Sequence, residues 1–195
     1  NAVRPPMGIE GKEHITVSQK LYYNPNPNLS VLVYGSSFFM NTYDLIQDMT
    51  FSQARDWTAG TKVTYYVKDW FSVTGSLHAD FYDRFKRHER IDKRQKDYES
   101  SIYQPRLTVT SNYFNGHSLI LGMEHTSDEL TSDRFSGNAN HDLKTRALKE
   151  TEYFLQDEWT INPRWMISAG IRTNFSKAFD FMGMPKVAAK YSPDK

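Results

Sequence analysis

Strict two-residue alternation, held for longer than an ordinary soluble strand lasts, is what most limits the folds open to this chain. From Phe71 the sequence reads FSVTGSLHADFYD, with Phe71, Val73, Gly75, Leu77, Ala79 and Phe81 at one parity and Ser72, Thr74, Ser76, His78, Asp80 and Tyr82 at the other. Trp165 begins a second such run. Trp165, Ile167, Ala169, Ile171 and Phe175 alternate with Met166, Ser168, Gly170, Arg172 and Asn174, and Thr173 alone breaks the apolar series. Trp57, Ala59, Val63, Tyr65 and Val67 stand likewise against Thr58, Lys62, Thr64 and Tyr66, and weaker copies lie at residues 107–113 and 119–123. Successive side chains of a strand point to opposite faces, so each segment reads as a strand with one apolar and one polar face. Helical periodicity is hardly visible.

The length of the stripes carries the next step. Phe71 and Phe81, Tyr103 and Tyr113, and Trp165 and Phe175 are each ten positions apart on the apolar side. Ten residues at about 3.3 Å each, tilted by about 40°, rise roughly 25 Å, the height of the apolar band between the aromatic girdles of an outer-membrane barrel. Strands of sandwich domains usually run about five or six residues. The pattern predicts an all-β chain: an antiparallel up-and-down meander forming a section of an outer-membrane β-barrel. Alternation alone leaves two other readings open. One is a soluble β-sandwich acting as a binding or adhesion module through its long loops. The other is the barrel of a porin or an autotransporter.

Composition narrows the field further. With 14% aromatic and 38% hydrophobic residues, the chain is too aromatic for disorder and too polar for a helical membrane protein. No stretch approaches the eighteen or so consecutive apolar residues of a spanning helix, so any membrane role must run through strands. The chain has no cysteine, which removes disulfides, thiolate metal sites and cysteine nucleophiles. A net charge of +1 predicts no general attraction to nucleic acid. The opening NAVRPPMG has neither an initiator Met nor a signal peptide, and a mature or excised piece of a longer protein is expected.

Connections are expected to alternate in length. Tight turns are predicted at NPNPN (residues 24–28), Lys68-Asp69, Asn115-Gly116 and Asn162-Pro163, with Ser192-Pro193-Asp194 as the next. Asn-Gly is the signature of a type I′ hairpin. Longer polar stretches at residues 41–55, 84–98 and 126–149 read as loops at the other rim. About nine strands result, near residues 14–23, 29–39, 56–67, 70–83, 103–114, 117–125, 151–161, 164–176 and 185–191. Single-chain bacterial barrels have even strand numbers, so residues 1–195 are expected to be one partial barrel.

Some of these residues also carry a family resemblance. YFLQDEW, a short turn, AGIR and then PKVAAKYSP in residues 153–193 resemble the mid-barrel of TonB-dependent outer-membrane receptors, and the earlier LILGMEHTSDE is similar to that family's upward strands. The resemblance is specific from Ser118 onward and at the level of pattern before it. It implies a 22-stranded barrel occluded by a plug, with uptake of a ferric siderophore, haem or cobalamin powered through TonB. The plug and the TonB-binding segment are not among these residues. The partners it implies are the rest of the barrel and the plug, TonB through the plug, outer-membrane lipid and lipopolysaccharide, and a small-molecule ligand. Asn26-Pro27-Asn28-Leu29 spells a motif of haem receptors, but its position at a turn reads as turn chemistry.

Candidate sites are few. RFKRHERIDKRQK, from Arg84 to Lys96, holds seven Lys and Arg against Glu89 and Asp92, and at an outer rim it could attract an anionic ligand or lipopolysaccharide phosphates. Arg87, His88 and Arg90 in that segment and His141 in a later one are the candidate ligand-binding residues. Glu124, Asp128, Glu129 and Asp133 could supply calcium ligands, but their spacing matches no calcium loop. His78 is expected on the polar face beside Asp80. No Gly-x-Ser-x-Gly, phosphate-cradling glycine loop or His-Glu-x-x-His occurs, and His117 and Ser118, being adjacent, face opposite sides of a strand. Neither catalysis, a bound cofactor nor a metal site is expected.

Overall fold

The computed structural model describes residues 10–44, 49–88, 93–132, 135, 143–178 and 180–193. They form nine strands: β1 Glu10–Asn26, β2 Leu29–Asp44, β3 Met49–Lys68, β4 Phe71–His88, β5 Lys93–Ser111, β6 His117–Ser132, β7 Lys144–Asn162, β8 Trp165–Ser176 and β9 Asp180–Tyr191. Each pairs antiparallel with its neighbours in sequence, giving one sheet in the order β1 to β9. This is the predicted meander.

A second layer is absent among the described residues, and burial shows it. The chain exposes 14451 Å², whereas a compact monomer of 22.7 kDa exposes about 9500 Å². Ala54 is the one apolar residue among those described that is fully buried. A sandwich would pack two inner faces into a core. Here the apolar face of the single sheet stands open, with Trp57 at 58% and Val187 at 78% exposure. The sandwich reading therefore gives way to a barrel section whose apolar face is made for lipid.

Register confirms the two faces. Leu29, Tyr65, Val73, Val109, Leu121, Leu155 and Ile171 lie side by side across β2 to β8, one continuous apolar row. Shifting any strand by one residue would turn its whole apolar set inward, so this row fixes the pairing. Aromatic pairs cluster toward the two ends of the band. Phe81 meets Tyr103 edge-on at 5.4 Å and Tyr153 meets Phe175 at 6.0 Å near one end, while Trp165 and Tyr191 sit 4.8 Å apart near the other.

The strands are longer than alternation predicts, at 12 to 20 residues. Much of the predicted loops at residues 41–55, 84–98 and 126–149 is strand instead. The ladder hydrogen bonds continue beyond the lipid, where both faces meet water and the apolar parity that marks a strand has no reason to persist. Turns at the short end are close to expectation. The Asn26 side chain accepts from the Asn28 amide at 2.9 Å, and the Asn162 side chain accepts from the amides of Arg164 and Trp165 at 2.9 and 3.0 Å. Asn115-Gly116 differs. β5 ends at Ser111, and the Phe114 carbonyl accepts from the His117 amide at 3.0 Å with positive φ at Gly116 but not at Asn115. Positive φ at the third turn residue alone is what a type II turn requires, so the predicted I′ hairpin is not formed. Asp194 of the last predicted turn lies outside the described residues.

Candidate functional site: the lumen wall and the outer rim

The polar face of the sheet becomes the inner wall of the barrel. Its side chains contact one another across the strands. The Tyr34 ring lies flat over Gly60 on the neighbouring strand, in the space a Cβ there would occupy, and its hydroxyl reaches His78 Nδ1 on β4 at 3.0 Å. Phe154 on β7 covers Gly122 on β6 in the same way, and the Arg106 guanidinium sits 4.7 Å from the Phe154 ring centre. Both are aromatic rings compensating for the side chain that a strand glycine lacks. His78 thus stands where predicted on the polar face, bonded to Tyr34, while Asp80 accepts from the Thr58 hydroxyl at 2.8 Å.

A charge ladder lies around Phe154. Glu124 on β6 is directly opposite Glu152 on β7, a like-charge pairing that costs stability unless relieved. Arg106 approaches Glu124 at 3.5 Å and Arg172 approaches Glu152 at 3.2 Å, one cation from each flanking strand. Asn174 donates to Glu150 at 3.0 Å. A pocket of about 440 Å³ opens here, lined in part by Arg106, Phe154, Gln156 and Arg172. The sequence reading names Glu124 only as a candidate calcium ligand and gives Arg106, Glu152 and Arg172 no role, although all four hold polar-parity positions of predicted strands.

Nearer the long-loop rim, Asp56, Asp80, Tyr82, Arg84, Tyr98 and Ser100 line a second inner pocket of about 460 Å³. Tyr82 and Tyr98 meet edge-on at 5.5 Å, and the Arg84 guanidinium lies 5.4 Å from the Tyr98 ring centre. Asp56 Oδ1 is buried without a hydrogen-bond partner in this wall.

Just above, β5 carries a bulge that divides the basic segment between the two faces. Arg84 pairs with Tyr98 and Phe85 with Lys96, leaving Asp97 as the extra residue. Asp97 is only 3% exposed and faces the lumen side, bound by Arg84 at 2.8 Å and Lys86 at 3.3 Å, while its carbonyl accepts from the Ser132 hydroxyl at 3.3 Å. Lys96 points outward, to Asp83 at 2.8 Å and Glu99 at 3.3 Å. The hydrogen bond that Lys96 donates to Asp83, chiefly, raises the Lys96 pKa above its ordinary 10.5 against the opposing effect of burial.

The sequence candidates fall on several parts of this rim. Arg87 and His88 end β4, where backbone register sets them opposite Arg94 and Lys93. Arg90 and His141 lie outside the described residues, as does Asp133. Glu124 and Asp128 are on the lumen parity of β6 and Glu129 on the outer parity, so the proposed calcium ligands do not converge. Among the described residues no group of three or more His, Asp or Glu could hold a metal ion. His117 pairs with Asp157 at 2.7 Å and stacks on Trp159, away from any site.

A single antiparallel meander with a lipid-fit face, a polar inner wall and tight turns at one end is a shape that comparison can test. The sequence model described as TonB-dependent receptor-like β-barrel matches residues 12–195. The chain belongs to the TonB-dependent receptor β-barrel family. No curated protein sequence matches it. Among solved structures, a variant of the ferric enterobactin receptor PfeA of Pseudomonas aeruginosa superposes with a TM-score of 0.82 at 13% identity, covering 100% of this chain and 33% of that one. The siderophore receptor PirA of Acinetobacter baumannii gives 0.75 at 11% identity, covering 96% and 32%. The siderophore receptor PiuA of the same species gives 0.63 at 9% identity, covering 94% and 39%. This receptor barrel section thus spans about a third of the length of the structures it matches, and at these identities the likeness is one of fold. The porin and autotransporter readings give way to the family match.

Proposed function

We propose that these residues form part of the wall of a TonB-dependent transporter in the bacterial outer membrane, one that takes up a scarce ligand of the ferric siderophore, haem or cobalamin class. The observation that carries this reading is the pairing of a lipid-fit apolar band with a charged, hydrogen-bonded inner wall, in a chain matched by the receptor family over residues 12–195. Structural neighbours named as siderophore receptors favour the first of the three ligand classes. The wall supports the role chemically. Tyr82 and Tyr98 offer aromatic faces below the rim, suited to stacking against a planar chelate, while Arg84 is held by Asp97.

On this reading the rim segments that carry Arg87, His88, Arg90 and His141 sample ligand from outside, and the inner wall packs against a plug through which TonB relays energy. The protein acts as a transporter and not as an enzyme. The test is uptake by the whole receptor in a strain lacking other iron receptors. Growth under iron limitation with one ferric siderophore, and binding of that complex to the purified protein, is the expected result. Growth and binding with haem or cobalamin alone would move the assignment to that class, and recovery of the protein outside the outer membrane would end the transporter reading.

A further inference from the structure

β7 rises farther than the hairpin that follows it. It runs from Lys144 to Asn162, whereas β8 stops at Ser176, opposite Glu150, and β9 starts at Asp180, opposite Ser176. Residues 144–149 of β7 therefore pair with β6 and have no strand on their other side among the described residues. Which groups are left over follows from the ladder. Successive residues of a strand send their amide and carbonyl to alternate sides. The Thr160 amide donates to the Gly116 carbonyl at 2.7 Å, on the β6 side, and the register between β6 and β7 is unbroken from Trp159 to Lys144. Even-numbered residues of β7 thus bond to β6. Thr145, Ala147 and Lys149 direct their amides and carbonyls into the position that β8 vacates. A cavity of about 890 Å³ lies there, lined in part by Ala147, Lys149, Phe175 and Lys177.

Height and charge decide what fits the gap. Tyr153 and Phe175 meet at the outer end of the apolar band. Lys149 and Thr145 stand farther along β7, about 10 and about 20 Å above Tyr153 on the barrel axis. A phospholipid headgroup layer is about 5 to 8 Å deep, so this edge lies beyond it. Open edges are commonly blunted by a proline or a bulge, and neither interrupts β7 here. Lys144, Arg146 and Lys149 on β7, all exposed, and Lys177 past the end of β8 are the charges beside it. Glu150 at the lower end is held by Asn174, Asp180 lies one strand away on β9, and Asp128 and Glu129 stand across β7 on β6. Pairing with a second copy of the same edge would gather the cations of both copies along one seam. We propose that Thr145, Ala147 and Lys149 form an edge-strand docking site for an extended, acidic polypeptide segment of a protein outside the cell. The added strand completes the ladder where β8 ends and sets its acids against Arg146, Lys149 and Lys177.

The position of this edge outside the cell rests on the outer-membrane reading, and the test separates the two. Whole receptor recovered from the outer membrane is titrated in detergent with a fluorescein-labelled hexapeptide that alternates threonine and glutamate. The same peptide N-methylated at alternate residues, and one with lysine in place of glutamate, are titrated beside it. Ala147→Pro removes an outward amide and leaves the β6 ladder intact, because the Ala147 amide takes no part in it. Lys149→Glu reverses a charge beside the edge, and Lys62→Gln on β3 is the control. The expected result is binding at least about fivefold weaker for Ala147→Pro, for Lys149→Glu and for the N-methylated and lysine peptides, with no loss for Lys62→Gln. Lys149→Glu and the N-methylated peptide decide the matter even where Ala147→Pro does not fold. No binding by the wild-type receptor at millimolar peptide, equal binding of the N-methylated peptide, or unchanged affinity in Lys149→Glu would overturn the proposal. Failure of the wild-type receptor to reach the outer membrane would instead overturn the reading on which it rests.

Discussion

Phe154 and Tyr34 show how single residues hold the inner wall together. Each ring occupies the space left by a glycine on the adjacent strand, so Gly122→Val would force Phe154 off its seat and pull Arg106 from the ring. A loss of about 1 to 3 kcal/mol is expected, the usual cost of overpacking a filled space. Urea unfolding of the whole barrel in lipid vesicles measures it, and Gly75→Val serves as the contrast, because a Cβ at Gly75 meets nothing within 4 Å. Lys96 gives a second test at this scale. Its pKa is raised in the folded state, so its pairing with Asp83 and Glu99 contributes fully at neutral pH and is lost as pH climbs beyond 10.5 through the raised value. Replacing Lys96 with Met should abolish that alkaline part of the stability profile.

Hairpins are the units at the next scale, and β4 with β5 is the one whose anchor is visible. Asp97 is buried with two partly exposed cations on it, so Asp97→Ala removes their shared anion and is expected to cost about 1 to 2 kcal/mol, seen as faster protease cleavage between β4 and β5 while the membrane-embedded part stays protected. This anchor was invisible in the sequence, where Asp97 is one acid in a long charged run and nothing signals an extra residue in the ladder. Element limits are legible only where lipid enforces a difference between faces: the sequence places β8 within one residue, but the upper third of β3, from Met49 to Arg55, reads as loop. Asn115-Gly116 was recognised as a turn and misread in type, because the dipeptide fixes the need for positive φ at glycine but not at the asparagine before it. The inner wall was legible as polar parity, and its pairings were not, since which Arg meets which Glu follows from register.

For the molecule as a whole, the sidedness of the sheet governs both folding and fate. Leu121 lies mid-band on the lipid face, so Leu121→Arg should cost about 2 to 4 kcal/mol in vesicle folding, whereas Gln156→Arg on the inner wall should cost under about 1. Residues 1–195 expressed alone leave β1 and β9 with one unpaired edge each, and size-exclusion in detergent is expected to give mixed oligomers in place of a monomer. The recumbent rings carry a last consequence, this time for traffic. A tyrosine or phenylalanine standing upright would project some 6 Å into the bore. Laid over Gly60 and Gly122 they yield that clearance back, while each ring still braces two strands. Enlarging either glycine therefore pushes its ring toward the bore as well as loosening the wall.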